Sequence, residues 1–428
     1  PYFIGQPVLV ERLGPRAAPP KCEYPDVPPA TSLLRSRQPT APSDLPEGRT
    51  MPRSYGDAAA ELKALRETAG LIDETSLGVL EISGPDAVRF LDLVTANDVA
   101  FLAQNAAQYT FLLDPEGSLI GDALLYRVDR DRYLLTTAPT RSPRVARWLG
   151  EALAHRCRID DAVPTRGLPT QLRIRDLRNA ADATARAIVG LAGPNALNVL
   201  RALADNPDDR RKVGRIRRFT LAFARLAGIE AMVARTGHTG QPHGYEIFVS
   251  PSAVEALWDA VLARGADQGV RPVGWDAFRA DGVAAGLPWD GHELNGELQI
   301  SPVQAGYGEL ARLHKPFFVG RAALLSLPYP PPRAIARFQV VAPVVALPRE
   351  GDPLIAPSGT CVGLVTSQPR FDSLPIGLAY AEAQATPIGA RLSVLVGTAS
   401  GIRVGDQLEI GERSSPIATV EVLPRFPK

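Results

Sequence analysis

The alternation of apolar and polar positions predicts a regular order of short strands and helices. Residues 78–84 alternate as a half-buried strand does, and Pro85 and Asp86 then open a helix that continues to Val94. Residues 109–113, 119–128 and 133–137 are three further strand-like runs, the first two separated by a turn at 114–117. Helical periodicity is found in residues 58–68 and 144–155.

The same order of elements returns in the second half of the body. Residues 82–87 (Ile-Ser-Gly-Pro-Asp-Ala) resemble residues 191–196 (Leu-Ala-Gly-Pro-Asn-Ala), and each segment joins a strand to a helix. Further strands are predicted at 229–234 and 245–249, and a further helix at 254–264. The pattern therefore indicates an internal duplication and an α+β fold, with antiparallel sheets and helices packed on one side of each.

Proline-rich stretches separate the chain into three predicted parts. Residues 1–54 form a proline-rich N-terminal extension, and residues 55–325 form the duplicated body. Residues 326–428 form the third part, which begins with the prolines at 328–332. Short strand-like segments then recur at regular spacing, which predicts a small β-barrel or sandwich domain.

Composition and charge are those of an ordinary soluble protein. The chain has 428 residues, of which 45% are hydrophobic and 22% charged, and its formal net charge is +1. This balance gives no electrostatic reason to expect nucleic acid or a membrane surface as a partner. The three cysteines are far apart, which is typical of a reducing compartment, and no run of about 18 apolar residues occurs. We therefore expect a cytoplasmic protein.

Several signatures of catalytic chemistry are absent from the sequence. It contains no P-loop, no Cys-x-x-Cys and no Gly-x-Gly-x-x-Gly after a strand. His292 and Glu293 begin like a zinc motif, but position 296 is glycine. His238 and His243 lie in a glycine-rich turn with no third ligand nearby in the sequence. We therefore expect no metal centre, and a reaction in which the protein positions a bound cofactor.

Two segments place a carboxylate within apolar surroundings. Asp122 interrupts the apolar strand that follows Glu116 and Gly117, and Glu246 enters an apolar strand after a glycine-rich turn. A buried carboxylate must be paired, hydrogen-bonded or neutral, which makes both residues candidates for function. The simpler alternatives are a carboxylate that caps a bend at Asp122 and an edge carboxylate of a hairpin at Glu246.

Together with other short motifs, these segments resemble the glycine-cleavage T-protein (aminomethyltransferase) superfamily. The resemblance extends from about residue 55 to the end of the chain, and the matching pieces come in the order of the family. They are residues 55–56 with 65–73, 95–99 (TANDV), 191–196 (LAGPNA), 235–240 (RTGHTG), 244–247 (GYEI), 291–294 (GHEL), 301–302 and 317–321.

The resemblance implies that the protein binds tetrahydrofolate in a central cavity. By this resemblance Glu246 accepts hydrogen bonds from the pterin ring, and Tyr109, Tyr245 and Arg235 contribute to the same cofactor site. Asp122 matches the second aspartate of the family's catalytic doublet. A carboxylate there suits one-carbon transfer, because it can take up a proton as the carbon joins a folate nitrogen.

Departures from the family pattern favour a demethylase. The first aspartate of the doublet is Gly121, and the Arg-Leu-Glu of the family is Gly282-Val283-Ala284. In these respects the chain is similar to the folate-dependent aromatic O-demethylases. We expect a substrate pocket formed by aromatic and imidazole side chains, although packing in the core is the simpler alternative for the aromatic ones. The residues expected to line this pocket are His238, which replaces a family tyrosine, and the aromatic residues Trp275, Phe278 and Trp289.

Three functions stay open at this stage. The first is transfer of a methyl group from a small-molecule donor to tetrahydrofolate. The second is aminomethyl transfer with a lipoyl carrier protein, which the departures disfavour. The third is folate binding without turnover, although the reactive-cysteine segment of the non-catalytic family members does not occur.

Overall fold

Two β-sheets packed face to face and a closed β-barrel form the protein. We analysed a computed structural model, which describes residues 31–39, 51–178, 182–289, 292–294, 298–341, 346–371, 373–397, 405 and 417–427. The α+β class expected from the sequence is confirmed, and the C-terminal strands close into a barrel rather than a sandwich.

The helices and strands follow the predicted order closely. The helices are α1 (Ala58–Glu67), α2 (Ala87–Val94), α3 (Ser142–Leu153), α4 (Ala196–Leu203), α5 (Pro207–Gly214), α6 (Val254–Gly265), α7 (Trp275–Ala284) and α8 (Arg321–Ser326). The strands of the body are β1 (Ala69–Asp73), β2 (Gly78–Ser83), β3 (Ala106–Leu113), β4 (Leu119–Asp129), β5 (Arg132–Thr137), β6 (Arg173–Asp176), β7 (Ala187–Ala192), β8 (Leu221–Leu226), β9 (Ile229–Ala234), β10 (Gly244–Val249) and β11 (Val270–Val273). The strands of the barrel are β12 (Arg333–Val340), β13 (Pro353–Ile355), β14 (Cys361–Ser367), β15 (Ile376–Glu382), β16 (Arg391–Leu395) and β17 (Ile417–Leu423).

Each sheet is built around one copy of the repeated strand–loop–helix unit. The five-stranded sheet has the order β3-β4-β5-β2-β6, and the six-stranded sheet has the order β11-β1-β7-β10-β9-β8. Gly84 after β2 and Gly193 after β7 both have positive φ, 136° and 121°, and a side chain at either would collide with backbone atoms. The shared loop geometry agrees with the duplication read from the sequence.

The helices cover the outer faces of the two sheets. Helices α4 and α6 pack on the six-stranded sheet, and α2 and α3 pack on the five-stranded sheet. The inner faces meet in an apolar layer that includes Val79, Leu124, Tyr126, Ile188 and Phe248. The candidate carboxylates lie on these inner faces, where Glu246 is buried and Asp122 is half-buried.

Some expectations concern residues that the structure describes only in part. Of the N-terminal extension, residues 31–39 and 51–54 are described, and the rest lies outside the described residues. Leu34 is buried against the six-stranded sheet. The division of the chain at residues 54 and 325 stays a prediction. In the described part of the chain, no helix is both long and apolar enough to cross a bilayer.

Candidate functional site

Glu246 lies on the inner face of β10 and has an exposed fraction of 0%. One carboxylate oxygen, Oε2, accepts hydrogen bonds from the hydroxyl groups of Tyr126 on β4 and Thr236 after β9. The other oxygen, Oε1, is buried and has no hydrogen-bond partner among the described residues. Two donors from different strands thus fix the carboxylate and leave one oxygen available to a ligand.

His238 lies between this free oxygen and the cavities of the protein. Its Nε2 is 3.9 Å from Glu246 Oε1, too far for a hydrogen bond, and it is buried with no partner in the described structure. The loop that carries His238 is held by Asp281 on α7, which accepts hydrogen bonds from the amide of Gly240 (2.9 Å) and the side chain of Gln241 (2.7 Å). Access to Glu246 therefore requires a movement of the His238 ring.

Asp122 and Tyr109 form the second polar pair of the site. They lie on β4 and β3, and the Tyr109 hydroxyl group donates a hydrogen bond to Oδ2 of Asp122. The register between the two strands shifts by one residue at Ile120, two residues before Asp122. Gly121 points to the opposite side, where a Cβ would approach Val145 on α3 to 2.9 Å. The lost aspartate of the doublet is thus a position at which this chain packs a helix closely.

A cavity of about 160 Å³ brings several of the predicted residues together. Tyr109, Asp122, His238 and Trp289 line it, along with Tyr307, which sequence analysis did not single out. The phenol ring of Tyr307 lies 5.7 Å from that of Tyr109 and stacks at an angle of 9° on Phe426 of the C-terminal tail. The cavity therefore has an acid–phenol pair on an otherwise mostly apolar wall.

A smaller cavity of about 30 Å³ adjoins the first and shares His238, Leu77 and Trp289 with it. Its wall includes the aromatic residues expected at the substrate pocket. The ring of Trp289 meets those of Trp275 and Phe278 edge to face, at centroid distances of 5.0 Å and 5.6 Å. These rings therefore pack against one another and also line a cavity, so the two expectations for them are compatible.

Glu74 is a further acidic residue of the smaller cavity that sequence analysis missed. It follows β1, its exposed fraction is 6%, and its Oε2 is buried without a partner among the described residues. Burial, followed by the nearby carboxylates of Glu246 and Asp73, raises the pKa of Glu74 well above its usual value. Burial and the two neighbouring carboxylates therefore favour the protonated form of Glu74.

Three of the four predicted cofactor ligands, Glu246, Tyr245 and Arg235, do not line either cavity. Tyr245 is adjacent to Glu246 on β10, and successive side chains of a strand point to opposite faces. Its ring is therefore buried in the helix-covered core of the six-stranded sheet, and a contact between Tyr245 and the cofactor stays a prediction. Arg235 donates to the carbonyl group of Pro242 (3.1 Å) and lies 3.3 Å from Nδ1 of His243. It braces the turn before Glu246 and does not line either cavity.

The arginine and glutamate missing from the family motif have a nearby counterpart. Gly282 and Ala284 lie in α7, one turn after Arg279, whose guanidinium group contacts Glu293 at 2.9 Å. Glu293 also accepts a hydrogen bond of 2.9 Å from the backbone amide of Trp289. This buried ion pair thus fixes the segment that presents Trp289 to both cavities.

Local signals could have revealed some of the missed residues. Glu74 follows Asp73 directly after the apolar residues Leu71 and Ile72, and Tyr126 lies on the same strand as Asp122. The sequence does not predict which residues these side chains contact. Tyr126, for example, donates a hydrogen bond to Glu246, which lies 120 residues further along the chain. In the described residues no group of three histidine, cysteine or acidic side chains could hold a metal ion. A reaction without a metal stays a prediction.

The fold and the site define an enzyme scaffold in which the hydrogen-bonded carboxylate of Asp122 lines a cavity and that of Glu246 is buried close to it, behind His238. The family described as the GCVT N-terminal domain matches residues 47–315, more than half of the chain, and the chain belongs to this family. This confirms the superfamily expected from the sequence. Members of the family use tetrahydrofolate, which agrees with the expected cofactor.

Relatives support the same assignment. An aminomethyltransferase of Desulforamulus reducens is 30% identical over 82% of this chain and 88% of its own length. An aminomethyltransferase of Streptomyces avermitilis is 31% identical over 78% of this chain and 84% of its own. The crystal structure of the glycine cleavage system aminomethyltransferase T from Bartonella henselae has a TM-score of 0.68 at 21% identity, covering 89% of this chain and 92% of its own. That likeness shows the shared fold.

Proposed function

We propose that the protein is a tetrahydrofolate-dependent methyltransferase of the demethylase type, which takes a methyl group from a small-molecule donor. The observation that carries the proposal is the meeting of Asp122, Tyr109, His238 and Trp289 in one cavity, next to the fixed carboxylate of Glu246. Family membership supports the folate carrier. The geometry of the two cavities supports a separate place for a donor.

Glu246 fits a folate because it has one fixed and one unpartnered oxygen. The amide-like edge of a pterin offers N–H donors, and a carboxylate accepts such donors strongly. A buried acceptor without a partner costs free energy, which a ligand with N–H donors would recover. Glu246 would hold the ring edge, and the aromatic wall of the main cavity would cover its faces.

Asp122 would handle the proton of the transfer. Bound tetrahydrofolate supplies the nitrogen that takes up the methyl group. The bond between the methyl group and the donor atom would break as the carbon–nitrogen bond forms, and Asp122 would accept the proton that the nitrogen gives up. The leaving atom of the donor gains a proton from the surrounding polar groups or from water. The Tyr109 hydroxyl group orients the Asp122 carboxylate for this step.

The smaller cavity supports an apolar donor group. Trp275, Phe278 and Trp289 line it, and its volume of about 30 Å³ suits a small group such as a methyl. The cavities adjoin at His238 and Trp289, so a donor held against the aromatic side chains of the smaller cavity would face a ligand in the main cavity. The expected absence of nucleic-acid and membrane partners, and the cytoplasmic location, remain predictions.

Aminomethyl transfer is the second candidate, because relatives that are 30% and 31% identical are aminomethyltransferases. In that reaction the carbon–sulfur bond of an aminomethylated lipoyl carrier protein would break. The methylene group would pass to the folate, and ammonia and the free thiol would leave. The same Asp122 would serve as proton acceptor, so the two candidates differ in the donor and not in the folate site.

The test offers both kinds of donor to the same preparation. The protein is incubated with tetrahydrofolate and, in parallel, with methyl ethers, methylamines, methyl thioethers or an aminomethylated lipoyl carrier protein. Mass spectrometry then distinguishes methyl-tetrahydrofolate from methylene-tetrahydrofolate. Methyl product with a small donor supports the first candidate. Methylene product with the carrier alone would replace it by the second.

A further inference from the structure

Glu74 and Glu246 lie next to the same glycine on the inner face of the six-stranded sheet. Gly190 on β7 is paired with Glu246 on β10 on one side and with Ile72 on β1 on the other. A Cβ at position 190 would lie 2.7 Å from Oε2 of Glu74. Because glycine has no side chain, the carboxyl group of Glu74 occupies the space above it, beside Glu246.

The two carboxyl groups differ in their surroundings. Tyr126 and Thr236 both donate to Glu246, and such donors stabilise the charged form of a carboxylate. The charged groups that act on Glu74 are Glu246 and Asp73, both acidic, and burial raises the pKa of Glu74 further. Two neighbouring buried carboxyl groups cannot both ionise at low cost. The pair therefore offers a hydrogen-bond acceptor at Glu246 and favours a protonated, donating carboxyl group at Glu74.

We propose that Glu74 and Glu246 recognise the edge of a 4-oxopteridine together, with protonated Glu74 donating to the ring carbonyl oxygen and Glu246 accepting from the ring N–H groups. This inference rests on the proposed folate-binding function and makes Glu74 a specificity-determining residue. The edge of such a ring carries adjacent N–H donors and a carbonyl acceptor, and the pair offers the complementary set. A 4-aminopteridine has a donor in place of the carbonyl group, which meets a donor on Glu74.

The buried oxygens of the pair support this assignment. Glu74 Oε2 and Glu246 Oε1 are both buried and lack hydrogen-bond partners among the described residues. An unsatisfied buried polar atom destabilises the protein, and a ligand that satisfies both atoms gains the corresponding free energy. His238, which borders Glu246 Oε1 at 3.9 Å and lines the cavity of Glu74, would turn aside as the ring edge enters.

The pH dependence of binding follows from the groups around Glu74. Glu246 faces it from β10, Asp73 precedes it on β1, and His238 lines the same cavity from the loop after β9. Asp73 accepts hydrogen bonds from Ser32 and Gln38. Deprotonation of Glu74 at high pH would remove the donor and place two negative charges side by side. Affinity for a 4-oxopteridine therefore falls as the pH rises.

The test measures ligand binding by calorimetry between about pH 6 and about pH 9, a range in which histidine is the other side chain with a relevant ordinary pKa. The ligands are tetrahydrofolate and its 4-amino analogue. Glu74→Leu removes the donor and is expected to weaken tetrahydrofolate binding about 10- to 100-fold, with a smaller preference over the 4-amino analogue. Glu74→Gln keeps an N–H donor that does not titrate, so its affinity stays near that of the wild type and becomes independent of pH. Glu67→Gln, on the exposed side of α1, is the matched control.

The outcomes separate this inference from the proposed function. Absence of tetrahydrofolate binding in the wild type would reject the folate function and the inference with it. Wild-type affinity in a folded Glu74→Leu variant would reject the inference alone. If Glu74→Leu does not fold, the Glu74→Gln variant tests the inference instead. If its affinity for tetrahydrofolate has the same pH dependence as that of the wild type, another group titrates and the inference is rejected. His238→Asn identifies any contribution of the imidazole.

Discussion

The hydroxyl group of Tyr109 donates a hydrogen bond to Oδ2 of Asp122 across two neighbouring strands, at the wall of the main cavity. The contact fixes the carboxylate in one orientation before any ligand enters. Edge-to-face packing of Tyr109 on Phe111, at 5.3 Å, holds the phenol in turn. A proton acceptor held in this way loses little conformational entropy when it acts.

We expect Asp122→Asn to abolish most of the transfer while preserving the fold. The amide keeps the shape of the side chain and removes the proton acceptor, so single-turnover rates should fall by about 10²- to 10⁴-fold. Folate affinity, measured by calorimetry, should change little. A structural role for Asp122 would give the reverse result, a lower melting temperature with a near-normal rate per folded molecule.

Tyr109→Phe is the companion variant for this prediction. It removes the hydroxyl group that holds Asp122 and leaves the ring in place. If Tyr109 acts by orienting the carboxylate, the variant should slow transfer in the wild-type background and have little further effect in the Asp122→Asn background. Equal effects in both backgrounds would show that the hydroxyl group acts independently of Asp122.

Replacing Glu246 should weaken folate binding. Glu246→Ala removes the unpartnered oxygen and is expected to cost about 1.5–3 kcal/mol of binding free energy, the usual range for a hydrogen bond to a charged group. Glu246→Gln, which keeps the volume but loses the charge, controls for the cavity that alanine leaves between the sheets. Unchanged folate affinity in both variants would remove Glu246 from the binding site.

The sequence predicted the main elements because local patterns determine them. The alternation in residues 78–83 and the Gly-Pro pairs at 84–85 and 193–194 specify strands and helix starts without reference to the rest of the chain. Strands with a weaker pattern were not predicted. Among them, β11 contains a proline, and β6 and β13 are only 4 and 3 residues long, too short to show a clear alternation.

The site was less predictable, because its contacts join distant parts of the chain. Asp122 and Glu246 were found as carboxylates in apolar strands, but their partners Tyr109 and Tyr126 belong to other strands or the other sheet. Tyr245 belongs to the same sequence motif as Glu246, but its ring lies in the core on the opposite face of β10. A motif read as a continuous string ignores that adjacent strand residues point to opposite faces.

The buried ion pair of Arg279 and Glu293 should contribute strongly to stability. Removing one partner leaves an unpaired buried charge, so Arg279→Met is expected to lower the free energy of unfolding by about 3–5 kcal/mol in denaturant titrations at neutral pH. A loss below about 1 kcal/mol, the value typical of exposed pairs, would contradict the prediction. Arg130→Met, at an exposed pair with Asp131, is the matched control.

The difference in the free energy of unfolding between the wild type and Arg279→Met should also depend on pH. Burial alone would raise the pKa of Glu293, but the charges of Arg279 and His292 and the hydrogen bond from Ser367 hold it below its usual value. Since the folded pKa lies below the unfolded one, this stabilisation is present above the unfolded pKa of about 4.3 and is lost as the pH falls through the folded value. The difference between wild type and Arg279→Met should therefore narrow in acid.

Trp289 should affect the donor more than the folate. Its ring lines both cavities and packs on Trp275 and Phe278, while Glu293 holds its backbone amide. In Trp289→Leu the wall of the smaller cavity stays apolar but loses the aromatic ring of Trp289. The KM for the methyl donor should therefore rise about tenfold or more, because the burial of an aromatic side chain contributes about 1.5–3 kcal/mol. The Kd for tetrahydrofolate, measured by calorimetry without donor, should rise less than the KM for the donor, because Tyr109 and Tyr307 remain on the wall of the main cavity. Leu310→Ala, which changes the main cavity alone, is the matched control. An equal loss of donor and folate affinity in Trp289→Leu would mean that the two cavities form a single binding site, and the separate donor pocket would then be rejected.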